Sequence, residues 1–380
     1  MEKKTCKIAV VGCGVISKAY LNAIRDYFSV IEVVACTDLD AERMNKTAET
    51  YGIKPMTYDE ILADPGIDVV LNLTNPGAHY TITKAALEAG KHVWSEKMIA
   101  VDLEQGRELV KLAEEKGVRL GVAPDTFLGS AIQTARYILD KGLIGKPLTF
   151  TASISRDYSV FGEILPHLRK KGGSILFDMG GYYLTALANL FGPVREVAAF
   201  TATNDPVRKG SRVDNDCKYF GEEYTIEVSN MVAASLKYDS GVLGTLHMNS
   251  DCLYTETTGI TVFGTDGILY MPDPNKFGGE VKLQKLKAEP IVFPATHGFS
   301  VNSRGVGAAE MAWSIIRNRP HRGDMHMALN VFETAHAIET SSAEGRVVKL
   351  ESTFTRPAPL PAGYLDNGFW GPTAEAALAL

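Results

Sequence analysis

The sequence predicts an α/β fold in two parts, a doubly wound parallel sheet followed by an α+β region on a mostly antiparallel open sheet. Three observations predict it. Short apolar, β-branched runs alternate with helical runs through the first third of the 380 residues. The first run stops at the turn Gly12-Cys13-Gly14. Beyond Gly129 longer runs of period two take over, and Asp239-Ser240-Gly241 and Thr265-Asp266-Gly267 between them read as hairpin turns.

The elements follow in order. Residues 8–11 read as a strand buried on both faces, and 15–25 as a helix behind the glycine turn. Strands are expected at 31–37, 68–73, 92–95 and 118–122, with helices at 41–51, 58–63, 78–89 and 102–116 between them. Asp102 with Gln105 opens the last helix, and Gly90 and Gly117 close the two before the final strands. The second part begins with a helix at 130–141 and a one-sided strand at 147–156, then one long apolar helix at 174–191. Strands at 194–203, 224–238, 242–250, 260–263 and 268–271 follow, with 204–223 a polar loop or lid. Helices at 305–318 and 325–341 and an edge strand at 347–350 complete it. This gives a cofactor domain at 1–126, a substrate-binding and oligomerisation domain at 127–355, and a Pro/Gly-rich tail at 356–380. The tail, with Phe369 and Trp370, is either disordered or an arm to a neighbouring subunit.

Composition narrows the function. A net charge of −6 opposes a role in neutralising phosphate backbones, so nucleic acid is not an expected partner. Five cysteines, odd in number and never in a Cys-x-x-Cys pair, fit neither a disulfide framework nor a zinc site, and point to the cytoplasm. No apolar stretch approaches the roughly 20 residues of a membrane span. No His/Cys/Asp cluster has metal-ligand spacing, so no metal is expected.

The strand, glycine turn and helix at 8–25 suit a pyrophosphate, with Gly12, Gly14, Val15 and Ile16 beside it and Ser17 where the dinucleotide fingerprint has a third Gly or Ala. Asp38 ends the next strand, where an acidic residue accepts hydrogen bonds from ribose hydroxyls. Leu39-Asp40 after it would repel a 2′-phosphate, which favours NAD over NADP, while Arg43 pulls the other way. Thr74, Asn75, Glu96, Lys97 and Asp125 also fall at strand ends, where ligands of such sheets bind.

The succession Gly12-Cys13-Gly14-Val15-Ile16-Ser17, Thr74-Asn75-Pro76 with His79, Glu96-Lys97, and Gly172-Gly173-Ser174-Ile175-Leu176-Phe177-Asp178-Met179-Gly180 resembles the Gfo/Idh/MocA oxidoreductase family. The resemblance implies an N-terminal Rossmann domain for NAD or NADP, a C-terminal domain whose sheet often forms a dimer face, and redox chemistry on sugars, inositols or their derivatives. It also places His79 near the cofactor. There are two departures. Met98 stands where the family has proline after Glu-Lys, and Tyr182 stands four residues after Asp178, where most members have a catalytic histidine.

Oxidising a secondary alcohol requires a base for the hydroxyl proton while hydride leaves carbon. Lys97, Asp178 and Tyr182 are the candidates, the last two four apart and so on one face of the expected long helix. Either Tyr182 moves the proton, its pKa lowered by Lys97, or Lys97 does so itself. Tyr158, Phe161 and Trp313 are candidate aromatic faces for a sugar ring, and Arg156 and Arg169 candidate substrate contacts. The expected activity is hydride transfer between NAD(P) and a sugar, anhydrosugar or inositol-like polyol, in a homodimer or homotetramer. The alternatives are NAD-dependent glycoside cleavage by transient oxidation and a non-catalytic cofactor sensor.

Overall fold

The computed structural model describes residues 5–157, 163, 165–213, 220–252 and 258–361. The first sheet holds six parallel strands in the order β3-β2-β1-β4-β5-β6: β1 (Cys6–Val11), β2 (Ile31–Thr37), β3 (Lys54–Pro55), β4 (Val69–Asn72), β5 (His92–Ser95) and β6 (Leu120–Val122). Helices α1 (Val15–Tyr27), α2 (Ala41–Tyr51), α3 (Tyr58–Ala63), α4 (Pro76–Glu88) and α5 (Leu103–Lys116) connect them. The apolar runs read from the sequence are the buried strands: Ile8, Ala9, Val10, Val69, Val70 and Leu71 have no exposure. The capping box of Asp102 and Gln105 forms as expected, and Gly117 ends α5.

A 3₁₀ turn (Asp125–Leu128) leads into α6 (Ser130–Asp140) and the second part. Its nine-stranded sheet is antiparallel except where β7 (Pro147–Asp157) pairs with β12 (Leu243–Cys252). The sequence expected one helix over 174–191, and the structure divides it into α7 (Ser174–Asp178) and α8 (Gly180–Phe191). Gly180 and Gly181 at the division are poor helix formers. The strand expected over 224–238 is likewise two, β10 (Glu223–Thr225) and β11 (Met231–Tyr238). β10 leaves the large sheet to pair with β9 (Val207–Lys209), inside the expected loop. The remaining strands are β8 (Val194–Ala202), β13 (Thr258–Gly264), β14 (Gly267–Met271), β15 (Lys282–Lys285), β16 (Ile291–Val292) and β17 (Val348–Lys349), of which β15 and β16 carried no sequence expectation.

The late helices tie the parts together. Helix α9 (Val306–Ile316) packs against β5 and β6 of the first sheet, and α10 (Met325–Glu344) runs between α5 and the second sheet's β8. Asp125 fastens this return. Expected at the cofactor, it is instead buried, and its Oδ2 accepts the amides of Gly305 at 2.7 Å and Gly307 at 3.2 Å at the start of α9. Of the tail expected at 356–380, only residues 356–361 are among those described, and Phe369 and Trp370 lie outside them.

Burial lifts the Asp125 carboxyl to about 6, against the pull of the two amides. The folded protein therefore holds this proton more tightly than the unfolded chain, so the group's stabilisation is full below the ordinary carboxylate value and is lost as pH rises through 6. Asp125→Asn removes that titration. The unfolding free energy from urea titrations at pH 4 to 7 should fall in the wild type by an amount on the order of 2 kcal/mol relative to the variant.

Candidate functional site

The crevice lies along the carboxyl ends of β1, β2, β4 and β5. At the first of these, Gly12 has φ +97°, and a Cβ there would come within 2.8 Å of the Leu73 backbone. A Cβ on Gly14, in contrast, would meet no protein atom within 4 Å. No side chain caps α1, so an anion at its start meets no competing side chain, with Val15 92% exposed there and Ile16 partly buried, while the Ser17 amide donates to the Gly14 carbonyl at 3.2 Å. The departure at Ser17 is accommodated locally, since its buried hydroxyl donates to the Gly14 carbonyl at 2.6 Å.

Asp38 stands at the end of β2 and is held from two sides. Its Oδ2 accepts the Cys13 amide at 2.7 Å and its Oδ1 the Asp40 amide at 2.8 Å. Arg43 lies 3.8 Å from Asp38 and 3.0 Å from Asp40, so its charge is shared between two carboxylates. After β4, the Thr74 hydroxyl donates to Asn72 Oδ1 at 2.7 Å, while the buried Asn72 amide reaches Thr83. Asn75 heads α4, again without a side-chain cap. These uncapped helix starts, the open space at Gly14 and the carboxylate at Asp38 fit a dinucleotide.

His79 does not face the crevice. It is fully buried, with Nδ1 2.7 Å from the Met98 carbonyl oxygen and Nε2 2.9 Å from that of Thr74, and burial holds its pKa below the usual range. Its role is to hold the loop after β5, where the Lys97–Met98 peptide bond is cis although Met98 replaces proline. Glu96 is anchored in the same loop by a residue the sequence reading passed over, Tyr20, whose buried hydroxyl donates to Glu96 Oε1 at 2.7 Å.

Lys97 is where the two parts meet. Its Nζ donates to Asp178 Oδ1 at 2.6 Å and lies 4.8 Å from the centre of the Tyr182 ring. Asp178 ends α7 and Tyr182 sits in α8, so Lys97 gathers them from two helices rather than from one face of one helix. The Lys97 side chain is only 10% exposed, and burial opposes its charge, yet Asp178, Tyr182 and Glu96 together raise its pKa above the ordinary lysine value. Tyr182 shifts against the sequence expectation. Burial raises its pKa, and Lys97 offsets only part of that. At neutral pH the pair is therefore an ammonium beside a protonated phenol.

Other candidates are dispersed. Tyr158 and Phe161 lie outside the described residues. Trp313 packs against the core, Arg156 pairs with Asp273 at 3.8 Å, and the Arg169 guanidinium stacks 4.2 Å from the Tyr224 ring centre. His167, on a 3₁₀ turn (Pro166–Arg169), lies in the fields of Asp178 and Lys97. Among the described residues no cluster of three His, Cys, Asp or Glu has the arrangement of a metal site, and no helix is long and apolar enough to cross a membrane.

Residues 6–123 match the family model for the oxidoreductase family with an NAD-binding Rossmann fold, and residues 132–270 match the GFO/IDH/MocA C-terminal domain. The chain belongs to the Gfo/Idh/MocA oxidoreductase family. It is 28% identical over 263 residues to a D-apiose dehydrogenase of Paraburkholderia graminis, covering 65% of this chain and 68% of that one. It is 30% identical over 247 residues to a 1,5-anhydro-D-fructose reductase of Ensifer adhaerens, covering 63% and 67%. The fold superposes on that of levoglucosan dehydrogenase, solved in complex with NADH and L-sorbose, with a TM-score of 0.79 at 18% identity over 92% of this chain and all of the other. This Gfo/Idh/MocA member is thus an oxidoreductase with an NAD-binding Rossmann domain.

In Asp178→Asn the Lys97 ammonium would keep its enclosure and lose the carboxylate in contact. Chemical denaturation at neutral pH should show a loss of about 3 kcal/mol, because an uncompensated buried charge remains. Lys97→Met combined with Asp178→Asn should recover most of it.

Proposed function

We propose that the protein transfers hydride between a nicotinamide cofactor, NAD in preference to NADP, and a secondary alcohol or ketone of a sugar, anhydrosugar or inositol-like polyol. The observation that carries this reading is the Lys97 ammonium, fixed by Asp178 at 2.6 Å and standing over the Tyr182 ring at the end of β5. When bound, the cofactor supplies or accepts the hydride. Gly14 and the first turn of α1 would hold its pyrophosphate, Asp38 its adenosine ribose, and Thr74, Asn75 and Glu96 the remainder along the strand ends. A 2′-phosphate would meet Asp38 and Asp40, both already engaged with Arg43.

Lys97 donates a hydrogen bond to the reacting oxygen, and Asp178 keeps Lys97 charged and aimed. Tyr182 moves the proton. The raised pKa of Lys97 speaks against the lysine as base, whereas a protonated phenol is ready to donate to a ketone oxygen in reduction. Oxidation needs the phenolate, so oxidation should rise with pH through the neutral range, while reduction, which uses the protonated phenol, should stay level until strongly alkaline pH.

A second copy of the chain fits the outer face of the large sheet. Helices cover one face, and the other presents Ala198, Phe200, Ala233, Ser235, Thr245 and His247 on adjacent strands, with Phe200 78% exposed. A sheet face of mostly uncharged residues with an exposed aromatic ring suits self-association.

A panel of sugars, anhydrosugars and inositols with NAD(H) and NADP(H), read at the reduced nicotinamide absorbance, tests the activity. Turnover with at least one polyol is expected, and Tyr182→Phe should lower kcat by about 10²–10⁴-fold with cofactor affinity preserved. Near-normal turnover in that variant would eliminate the phenol as proton carrier. Light scattering of the wild type and Phe200→Lys tests the sheet face, with an oligomer expected for the first and dissociation for the second.

A further inference from the structure

Tyr20 lies on the buried face of α1 with Ser17, Leu21, Ala23 and Ile24, and in sequence it reads as one more core residue. Its side chain has no exposure, yet its hydroxyl reaches the end of β5 and donates to Glu96 Oε1 at 2.7 Å. The other oxygen, Oε2, accepts the Lys97 amide at 3.2 Å. The backbone of Glu96 is fixed as well, since its amide donates to the Asn72 carbonyl of β4 at 2.8 Å and its carbonyl accepts the Ser95 hydroxyl at 3.1 Å. Both carboxylate oxygens are thus held by neutral donors, which orient the charge without neutralising it. Asp178 differs, because the Lys97 ammonium touches it at 2.6 Å. Among the described residues, Glu96 is left without an ion pair of its own at the end of β5.

We propose that Tyr20 is a positioning residue that holds the Glu96 carboxylate toward the nicotinamide end of the crevice, where its charge favours the oxidised, cationic ring over the reduced, neutral one. This rests on the reading of the crevice as a nicotinamide site. A carboxylate attracts a pyridinium and gains no such attraction from a dihydropyridine. The direction in which the carboxylate points decides how much of that attraction is realised. Without the phenol, Oε1 loses its donor, and a half-buried carboxylate turns toward water. Burial, and after it the charge of Glu96, hold the Tyr20 phenol well above its ordinary range, so it remains a donor. The same hydrogen bond ties α1, whose start faces the pyrophosphate position, to the loop that carries Lys97. Tyr20 itself acts on the cofactor only through Glu96.

Binding of NAD⁺, NADH and ADP-ribose, measured by titration calorimetry without substrate, separates charge selection from a general loosening of the loop. Tyr20→Phe removes one hydrogen bond to a charged group. It should raise the Kd of NAD⁺ about tenfold and leave those of NADH and of ADP-ribose, which lacks the nicotinamide, within about twofold. Glu96→Gln should show the same selective loss, and adding Tyr20→Phe to it should cost little more, because the two changes act on one interaction. Circular dichroism verifies folding, and Tyr20→Met stands in if Tyr20→Phe fails to fold. A ratio of NAD⁺ to NADH affinity unchanged in a folded Tyr20 variant would overturn the proposal, whether both affinities hold or fall together. A selective loss that persists undiminished on the Glu96→Gln background would overturn it too. Wild-type protein that binds neither nicotinamide nucleotide would instead overturn the reading on which it rests.

Discussion

The ion pair between Lys97 and Asp178 fixes how the two parts of this oxidoreductase meet. An ammonium with a side chain only 10% exposed is stable when a carboxylate touches it, and the carboxylate here comes from the other sheet's helical layer. The contact requires α8 to come close to the loop after β5. Gly181 permits this, since a Cβ there would stand 3.3 Å from Met98 Sδ and 3.6 Å from Lys97 Cδ. The loop itself is held from behind, by His79 against the Met98 carbonyl and by Tyr20 against Glu96. Buried polar groups thus converge on the backbone that carries one lysine.

The same crevice has opposite electrostatic needs at its two ends, and different elements meet them. Near Gly14 the start of α1 has no side-chain cap to compete with an anion, and Asp38 is pinned by the amides of Cys13 and Asp40. At Lys97 the positive charge is instead carried by side chains and moderated by Asp178 and Glu96. A buried tyrosine placed there stays protonated unless cations surround it, which is why the neighbours of Tyr182 matter more than the hydroxyl alone.

Most of the first sheet was legible because its information is local. Buried strands, an uncapped glycine turn and a capping box each lie within a few residues, and β2, α2, α3 and β5 have the expected limits. Lys97, Asp178 and Tyr182 were legible as residue types, but their assembly depends on the break between α7 and α8. Asp125 and His79 misled because a polar residue near a strand end reads alike whether it faces the crevice or turns inward to backbone groups. Strands β15 and β16 are short and largely polar or exposed, and their pairing comes from the neighbouring edge rather than from their own pattern.

A crystal structure of the protein grown with NADH should show the pyrophosphate against Gly14 and the first turn of α1, the nicotinamide beside Lys97, and the contact between Lys97 and Asp178 retained. A cofactor seated elsewhere, or a lysine released from Asp178 and turned away from the ring, would refute this assignment of the site.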